Sequence, residues 1–148
     1  MTQENAVVIE RIIDAPVELV WQMWADPEEF AAWYGPTGAI VSVEKMDVRA
    51  GGARSVSMTM ETPGGPMKMT FGGEYVEVVE NKRLVYTEAV SGGPAPGHDP
   101  TEVRIELEDL GGRTRLTLTH VGIPAGSPGE AGWRMAMDKL VQQIATRS

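Results

Sequence analysis

The sequence predicts an α+β domain in which a curved antiparallel sheet of about seven strands packs against a long C-terminal helix. Two observations predict the sheet: five Gly-Gly pairs punctuate the chain, and the stretches between them alternate apolar and polar residues. A third predicts the helix, because apolar residues from Trp133 to Ile144 recur at helical spacing. The 148 residues suit one domain, which we expect to span 1–148.

Two short helices are predicted after a first strand. The first opens at Asp14-Ala15-Pro16 and carries apolar residues at i, i+3, i+4 and i+7. The second is capped by Asp26, with Pro27 at its first position and Glu29 completing a capping box. Gly35-Pro36 then ends it.

The glycine pair Gly72-Gly73 predicts a bend rather than a turn. Apolar residues before the pair, up to Phe71, have the opposite parity to those that follow from Val76. A one-residue slip inside a continuous strand produces such a reversal, and a glycine β-bulge is the usual cause. We therefore predict one long curved strand over Met67–Glu80.

The last helix has a clear predicted start. Ser127-Pro128-Gly129-Glu130 reads as a capping box with proline at the first helical position. Before it, the Gly/Pro-rich stretch Ser91–Pro100 predicts a mobile loop.

The composition excludes several classes of site and partner. The chain has no cysteine, which excludes disulfides, thiolate metal sites and a cysteine nucleophile. Its 13 Lys and Arg against 21 Asp and Glu give a formal charge of −8, so we expect neither a nucleic-acid nor a membrane partner. Residues 1–5 lack the start of a signal peptide, and no apolar run approaches the ~20 residues that span a bilayer. We expect a cytoplasmic protein.

The common catalytic and metal-binding motifs do not occur in the sequence. His98 and His120 are the two histidines, and neither belongs to an HxH or HExxH spacing, so we expect no metal and no other cofactor. There is no phosphate-binding glycine loop and no GxSxG nucleophile. Six carboxylates on predicted strands are assigned to a solvated face: Glu74, Glu77, Glu80, Glu88, Glu106 and Glu108.

His120 is the histidine with a possible role. It shares the strand parity of Leu116 and Leu118, which predicts that it points inward. It is then either a half-buried histidine with one hydrogen bond or a group that contacts a ligand.

Methionines give the strongest hint of a pocket. Four of them would form one face of a hairpin around Gly64-Gly65, together with Val56 and Phe71: Met58, Met60, Met67 and Met69. Met135 and Met137 accompany Trp133 in the last helix. This face either fills gaps in an irregular core or forms an adaptable apolar pocket, and the sequence leaves both open.

Seven short segments, taken together and in order along the chain, resemble the sequence of a known protein family. They are Ile9-Glu10-Arg11, Asp14 to Trp21, Phe30 to Pro36, Gly73-Glu74-Tyr75, Arg83 to Tyr86, Leu116 to His120, and Gly132-Trp133 with the helix that follows. In this order the chain resembles the activator of Hsp90 ATPase homologue 1-like (AHSA1-like) family. The resemblance implies the START/Bet v 1-like (SRPBCC) superfamily and its helix-grip fold, in which a seven-stranded antiparallel sheet curls around a long C-terminal helix.

We expect this chain to bind a small apolar or amphipathic molecule between the sheet and the last helix, without catalysis. Tyr86 and His120 are the expected polar anchors. The complete expected lining is Trp33, Met58, Met60, Met69, Phe71, Tyr86, His120, Trp133 and Met137.

Two other functions stay open. An enzyme of cyclase, hydrolase or isomerase type would use His120 as general base in the same cavity. A chaperone-partner module would instead need a surface patch, and we expect no Hsp90 partner. The sequence is compatible with a homodimer.

Overall fold

The computed structural model describes residues 6–35, 38–92, 101–123 and 126–146. Within these ranges it forms one seven-stranded antiparallel sheet, two short helices after the first strand and a long C-terminal helix, which confirms the predicted helix-grip-like fold. The strands are β1 (Ala6–Ile13), β2 (Ile40–Met46), β3 (Ala53–Thr62), β4 (Gly65–Val79), β5 (Arg83–Gly92), β6 (Thr101–Asp109) and β7 (Thr114–Val121). The helices are α1 (Val17–Ala25), α2 (Pro27–Trp33) and α3 (Pro128–Ala145).

The sheet is a meander from β2 to β7 with β1 added beside β7. Its order is β1-β7-β6-β5-β4-β3-β2, so β1 and β2 are the edge strands. The predicted loop falls largely in residues 93–100, which lie outside the described residues together with His98. Among the described helices, none is long and apolar enough to cross a bilayer.

β4 is one long strand, as predicted, but its bulge lies at Val76 and not at Gly72-Gly73. Its pairing with β3 keeps one register through both glycines, whereas its register with β5 shifts within Tyr75–Glu77. Tyr75 is still buried in phase with Phe71, and Val76 is the extra residue, with half of its surface exposed. The parity reversal that suggested a glycine bulge therefore occurs a few residues later.

The two predicted capping boxes have different outcomes. Asp26 caps α2 as predicted, because its carboxylate accepts hydrogen bonds from two backbone amides of the first turn, at 2.9 and 3.3 Å. The capping box of α3 does not form: the Ser127 hydroxyl has no hydrogen-bond partner within the described ranges. Glu130 reaches one residue further back, and its carboxylate accepts from the Gly126 amide at 2.8 Å.

An aromatic cluster joins the short helices to α3. Trp24 and Trp33 have ring centroids 4.7 Å apart, and Phe30 stacks on Tyr34 at 4.6 Å. Tyr34 in turn contacts Trp133 of α3 at 5.8 Å. Offset and edge contacts of this kind add to the energy of burial. They fix the end of α2 against α3.

The two glycines of β4 allow a matched test of local backbone packing. A Cβ on Gly73 would lie 2.1 Å from the backbone oxygen of Thr87, whereas a Cβ on Gly72 meets nothing closer than 3.8 Å. We expect Gly73→Ala to lower the free energy of unfolding by about 1–3 kcal/mol or more, because the added methyl group overpacks the site. Gly72→Ala should be within about 1 kcal/mol of wild type. Urea unfolding of both variants measures this, and equal stability of the two would show that β4 and β5 can separate without cost.

Candidate functional site

A cavity of about 460 Å³ lies between the sheet and α3. Side chains reach it from the end of α2, from β3 to β7 and from the first half of α3, because strand residues of one parity share a face of the sheet. The lining consists of Tyr34, Gly35, Met58, Met60, Met69, Phe71, Glu88, Val90, Thr101, His120, Ile123, Gly129, Gly132, Trp133 and Ala136.

Six of the nine residues expected to line a pocket lie around this cavity. They are Met58, Met60, Met69, Phe71, His120 and Trp133. Met58 and Met69 are cross-strand partners, as are Met60 and Met67, so the hairpin does present a methionine face. Met60 and Met69 are only partly buried, whereas Met58 and Phe71 are buried.

The structure places the other three, Trp33, Tyr86 and Met137, in the packed core and not around the cavity. Trp33 is held inside the helical pair, where its indole nitrogen donates to the Met23 carbonyl at 2.8 Å. Met137 follows the cavity-lining Ala136 but is completely buried. Tyr86 lies under a guanidinium instead of serving as a polar anchor of the cavity.

Arg54 and Glu88 form a buried ion pair that the sequence analysis missed. Nη1 of Arg54 lies 3.4 Å from Oε2 of Glu88, and the side chains are 1% and 5% exposed. The Arg54 guanidinium lies 4.0 Å above the centroid of the Tyr86 ring, a cation–π contact. The Tyr34 hydroxyl also favours the charged form of the Glu88 carboxylate and so lowers its pKa. Glu88 had been assigned to solvent, and this was wrong.

Strand parity could have found both charged residues. Arg54 shares the parity of Val56 and Met58 on β3, and Glu88 shares that of Tyr86 on β5. Burial raises the pKa of the Glu88 carboxyl, and this effect exceeds the opposing influence of Arg54 and Tyr34. Glu88 lines the cavity, whereas Arg54 lies behind it.

His120 is fixed by hydrogen bonds at both ring nitrogens. The Trp133 indole nitrogen donates to Nδ1 at 2.8 Å, so Nδ1 must be the unprotonated acceptor. The neutral ring then carries its proton on Nε2 and donates to the Thr101 hydroxyl at 2.7 Å. The Thr101 hydroxyl in turn donates to the backbone oxygen of Glu88 at 3.2 Å. Burial lowers the pKa of His120 to about 4.

This arrangement determines what the site can do chemically. The His120 lone pair is occupied by Trp133, so protonation at Nδ1 would break that hydrogen bond, and the ring is not placed to act as a general base. Among the described residues, no group of three or more His, Asp or Glu could hold a metal ion. The Glu88 carboxylate, with about four lone-pair sites, keeps acceptor capacity toward the cavity.

Comparisons with known proteins point to one family. A family profile described as "Activator of Hsp90 ATPase homolog 1-like protein" matches residues 14–145. No curated protein sequence matches the chain.

Solved structures resemble the chain over nearly its whole length. A crystal structure from Chromobacterium violaceum is 29% identical and superposes with a TM-score of 0.80, covering 95% of this chain and 97% of that one. A Nitrosomonas europaea protein is 25% identical, with a TM-score of 0.78 over 99% and 98% of the two chains. An AHSA1-like protein from Aeromonas hydrophila is 22% identical, with a TM-score of 0.77 over 96% and 93%, and supports the fold alone.

The buried ion pair generates a prediction about stability. Arg54→Met leaves Glu88 as an unpaired buried carboxylate, which typically costs about 3–5 kcal/mol. Arg83→Met, which removes the more exposed pairs with Glu77 and Glu106, should cost no more than about 1 kcal/mol. The double variant Arg54→Met/Glu88→Gln should be more stable than Arg54→Met. Chemical denaturation measures all three, and equal losses for Arg54→Met and Arg83→Met would contradict the interpretation.

The hydrogen bonds of His120 predict its titration. Nitrogen-15 NMR should show the Nε2–H tautomer, with no protonation until the pH approaches about 4. Because an unfolded histidine has a pKa of 6.5, the unfolded chain binds more protons between these values, so stability falls as the pH drops through this window. His120→Gln should lose that part of the pH dependence. A His120 that titrates at or above 6.5 would contradict the assignment, with His98 identified by its own substitution.

Proposed function

The chain belongs to the activator of Hsp90 ATPase homolog 1-like family, and on that fold we propose that it binds a small apolar or amphipathic molecule in the cavity between the sheet and α3. The role is one of binding and not of catalysis. The observation that carries the proposal is the cavity itself. Its volume of about 460 Å³ falls within the range of about 300–1,000 Å³ that is usual for ligand sites.

The chemical character of the walls supports an apolar occupant. Methionine, phenylalanine, valine, isoleucine and alanine side chains supply most of the lining. Ligand sites usually combine such walls with a few fixed polar groups, and here Tyr34, Glu88, Thr101 and His120 supply them. Burying an apolar ligand against these walls would gain roughly 25 cal/mol per Å² of apolar surface removed from water.

The methionines support a pocket that adapts to its occupant. Met58, Met60 and Met69 line it from two adjacent strands, and unbranched thioethers change rotamer at low cost. Trp133 lines the same cavity from α3, so its indole would report on an occupant by fluorescence.

A screen of purified protein tests the proposal. Native mass spectrometry would reveal a retained small molecule, and thermal shift with neutral apolar compounds would reveal stabilisation by mass action. N-phenyl-1-naphthylamine provides a neutral fluorescent probe for displacement. Absence of any retained molecule, of thermal stabilisation and of probe binding would overturn the proposal.

Filling the cavity from its own wall provides a sharper prediction. Met69→Trp places a larger ring in the cavity, so its melting temperature should equal or exceed that of wild type while probe affinity falls about tenfold. Met137→Trp is the matched control, because Met137 is fully buried outside the lining and overpacking there costs about 1–3 kcal/mol. Thermal unfolding and probe titration measure both effects. If the two variants lose the same stability and probe binding stays unchanged, the methionine face is packed core.

A further inference from the structure

The polar groups of the cavity have used nearly all their hydrogen-bond donors within the protein. The Trp133 N–H is bound to His120, and the His120 N–H is bound to Thr101. The Thr101 hydroxyl donates to the Glu88 backbone oxygen, and the Tyr34 hydroxyl acts on the Glu88 carboxylate, whose pKa it lowers. A ligand in the cavity therefore meets few free donors.

Acceptor capacity remains on Glu88. A carboxylate offers about four lone-pair sites, and this one accepts from Arg54 at 3.4 Å on Oε2. Even with the Tyr34 hydroxyl as a second donor, lone pairs remain. Its Oε1 is 3.9 Å from Nε2 of His120, too far for a hydrogen bond. Glu88 lines the cavity while its side chain is 5% exposed, so it is a buried acceptor aimed at the space a ligand would fill.

The charge at this end of the cavity is already balanced. Arg54 pairs with Glu88 from behind and does not itself line the cavity. A ligand carboxylate would thus face a carboxylate, with the compensating cation on the far side. A ligand ammonium would bring a second cation to one carboxylate and lose its hydration in an apolar space.

We propose that the ligand is a neutral amphipathic molecule whose hydroxyl group donates a hydrogen bond to Glu88 while its apolar body lies against the methionine face. This inference rests on the proposed binding function and names the class of ligand. The ligand hydroxyl donates a hydrogen bond to the Glu88 carboxylate, and the remainder of the molecule needs only apolar contact. Met58, Met60 and Met69 provide that contact without fixing the shape of the apolar body.

Four eight-carbon compounds separate the possible ligand classes at neutral pH. They are 1-octanol, octanoate, octylammonium and methyl heptyl ether, each tested by displacement of N-phenyl-1-naphthylamine and by thermal shift. We expect 1-octanol to bind at least about tenfold more tightly than octanoate, a difference of about 1.4 kcal/mol. The ether has the same body without a donor and should bind about tenfold more weakly than the alcohol.

Two variants link the preference to Glu88. Glu88→Gln keeps the shape of the side chain but supplies N–H donors and leaves Arg54 without its carboxylate, so the preference for alcohol over carboxylate should fall at least about fivefold. Glu74→Gln makes the same change at an exposed position of β4 and should keep the wild-type preference. If Glu88→Gln does not fold, the comparison of the four compounds on the wild-type protein tests the hydroxyl-donor proposal without it.

The outcomes distinguish the two proposals. If the alcohol and the ether bind equally, or octanoate or octylammonium binds most tightly, the donor inference is overturned and the binding function stands. If none of the four compounds displaces the probe or stabilises the protein, and the probe itself does not bind, the binding function is overturned with it.

Discussion

The ion pair between Arg54 and Glu88 is the constraint around which the interior is organised. The two side chains come from β3 and β5, so they meet across β4, which carries Gly73 opposite Arg54 and adds no side chain between them. A buried pair of this kind gains little net stability, because desolvation of both charges offsets their attraction. Its effect is on geometry: the guanidinium needs the carboxylate beside it and the Tyr86 ring below it.

The same pair explains why the cavity lies where it does. Around Arg54 the core is occupied by aromatic rings, with Phe30 at 5.1 Å and Tyr86 at 4.0 Å from the guanidinium. Glu88 has Arg54 on one side and the cavity on the other. Beyond it, methionines and small residues of α3 leave space that no side chain fills. Close aromatic packing around Arg54 thus lies on one side of Glu88, and a cavity lined in part by flexible thioethers lies on the other.

Strand and helix periodicity was sufficient to predict the fold and the methionine face. The alternation at Met58, Met60 and Met69 predicts that their side chains share one face of the sheet, because successive side chains of a strand point to opposite faces. The same rule places Arg54 and Glu88 inward, yet the charge of Glu88 favoured a solvent-facing assignment, since such residues are seldom fully buried unless paired. The pattern of one strand does not show which residue of another strand it pairs with, and Arg54 and Glu88 lie two strands apart along the chain. Their pairing therefore could not be predicted from the sequence pattern.

The remaining differences depend on three-dimensional volume. Trp33, Tyr86 and Met137 face inward as Met69 does, and a one-dimensional pattern does not separate packed core from cavity wall. A one-dimensional pattern also does not fix the partners in a helix cap. The Glu130 carboxylate accepts from the Gly126 amide rather than the Ser127 amide, because it binds whichever amide the preceding chain brings within reach. A local motif identifies which groups form hydrogen bonds, and the tertiary structure determines which partners they have.

The cavity wall has one part whose side chains are fixed by hydrogen bonds and another part whose side chains can change rotamer. Trp133, His120 and Thr101 form a chain of hydrogen bonds that ties α3 to β7 and β6 and ends on the backbone of β5. Each bond fixes the proton of the next, so the polar end has one protonation pattern at neutral pH. The part of the wall from β3 and β4 carries methionines whose rotamers cost little to change. For the proposed ligand, this division provides a fixed surrounding for the polar group and an adaptable surface for the apolar body attached to it.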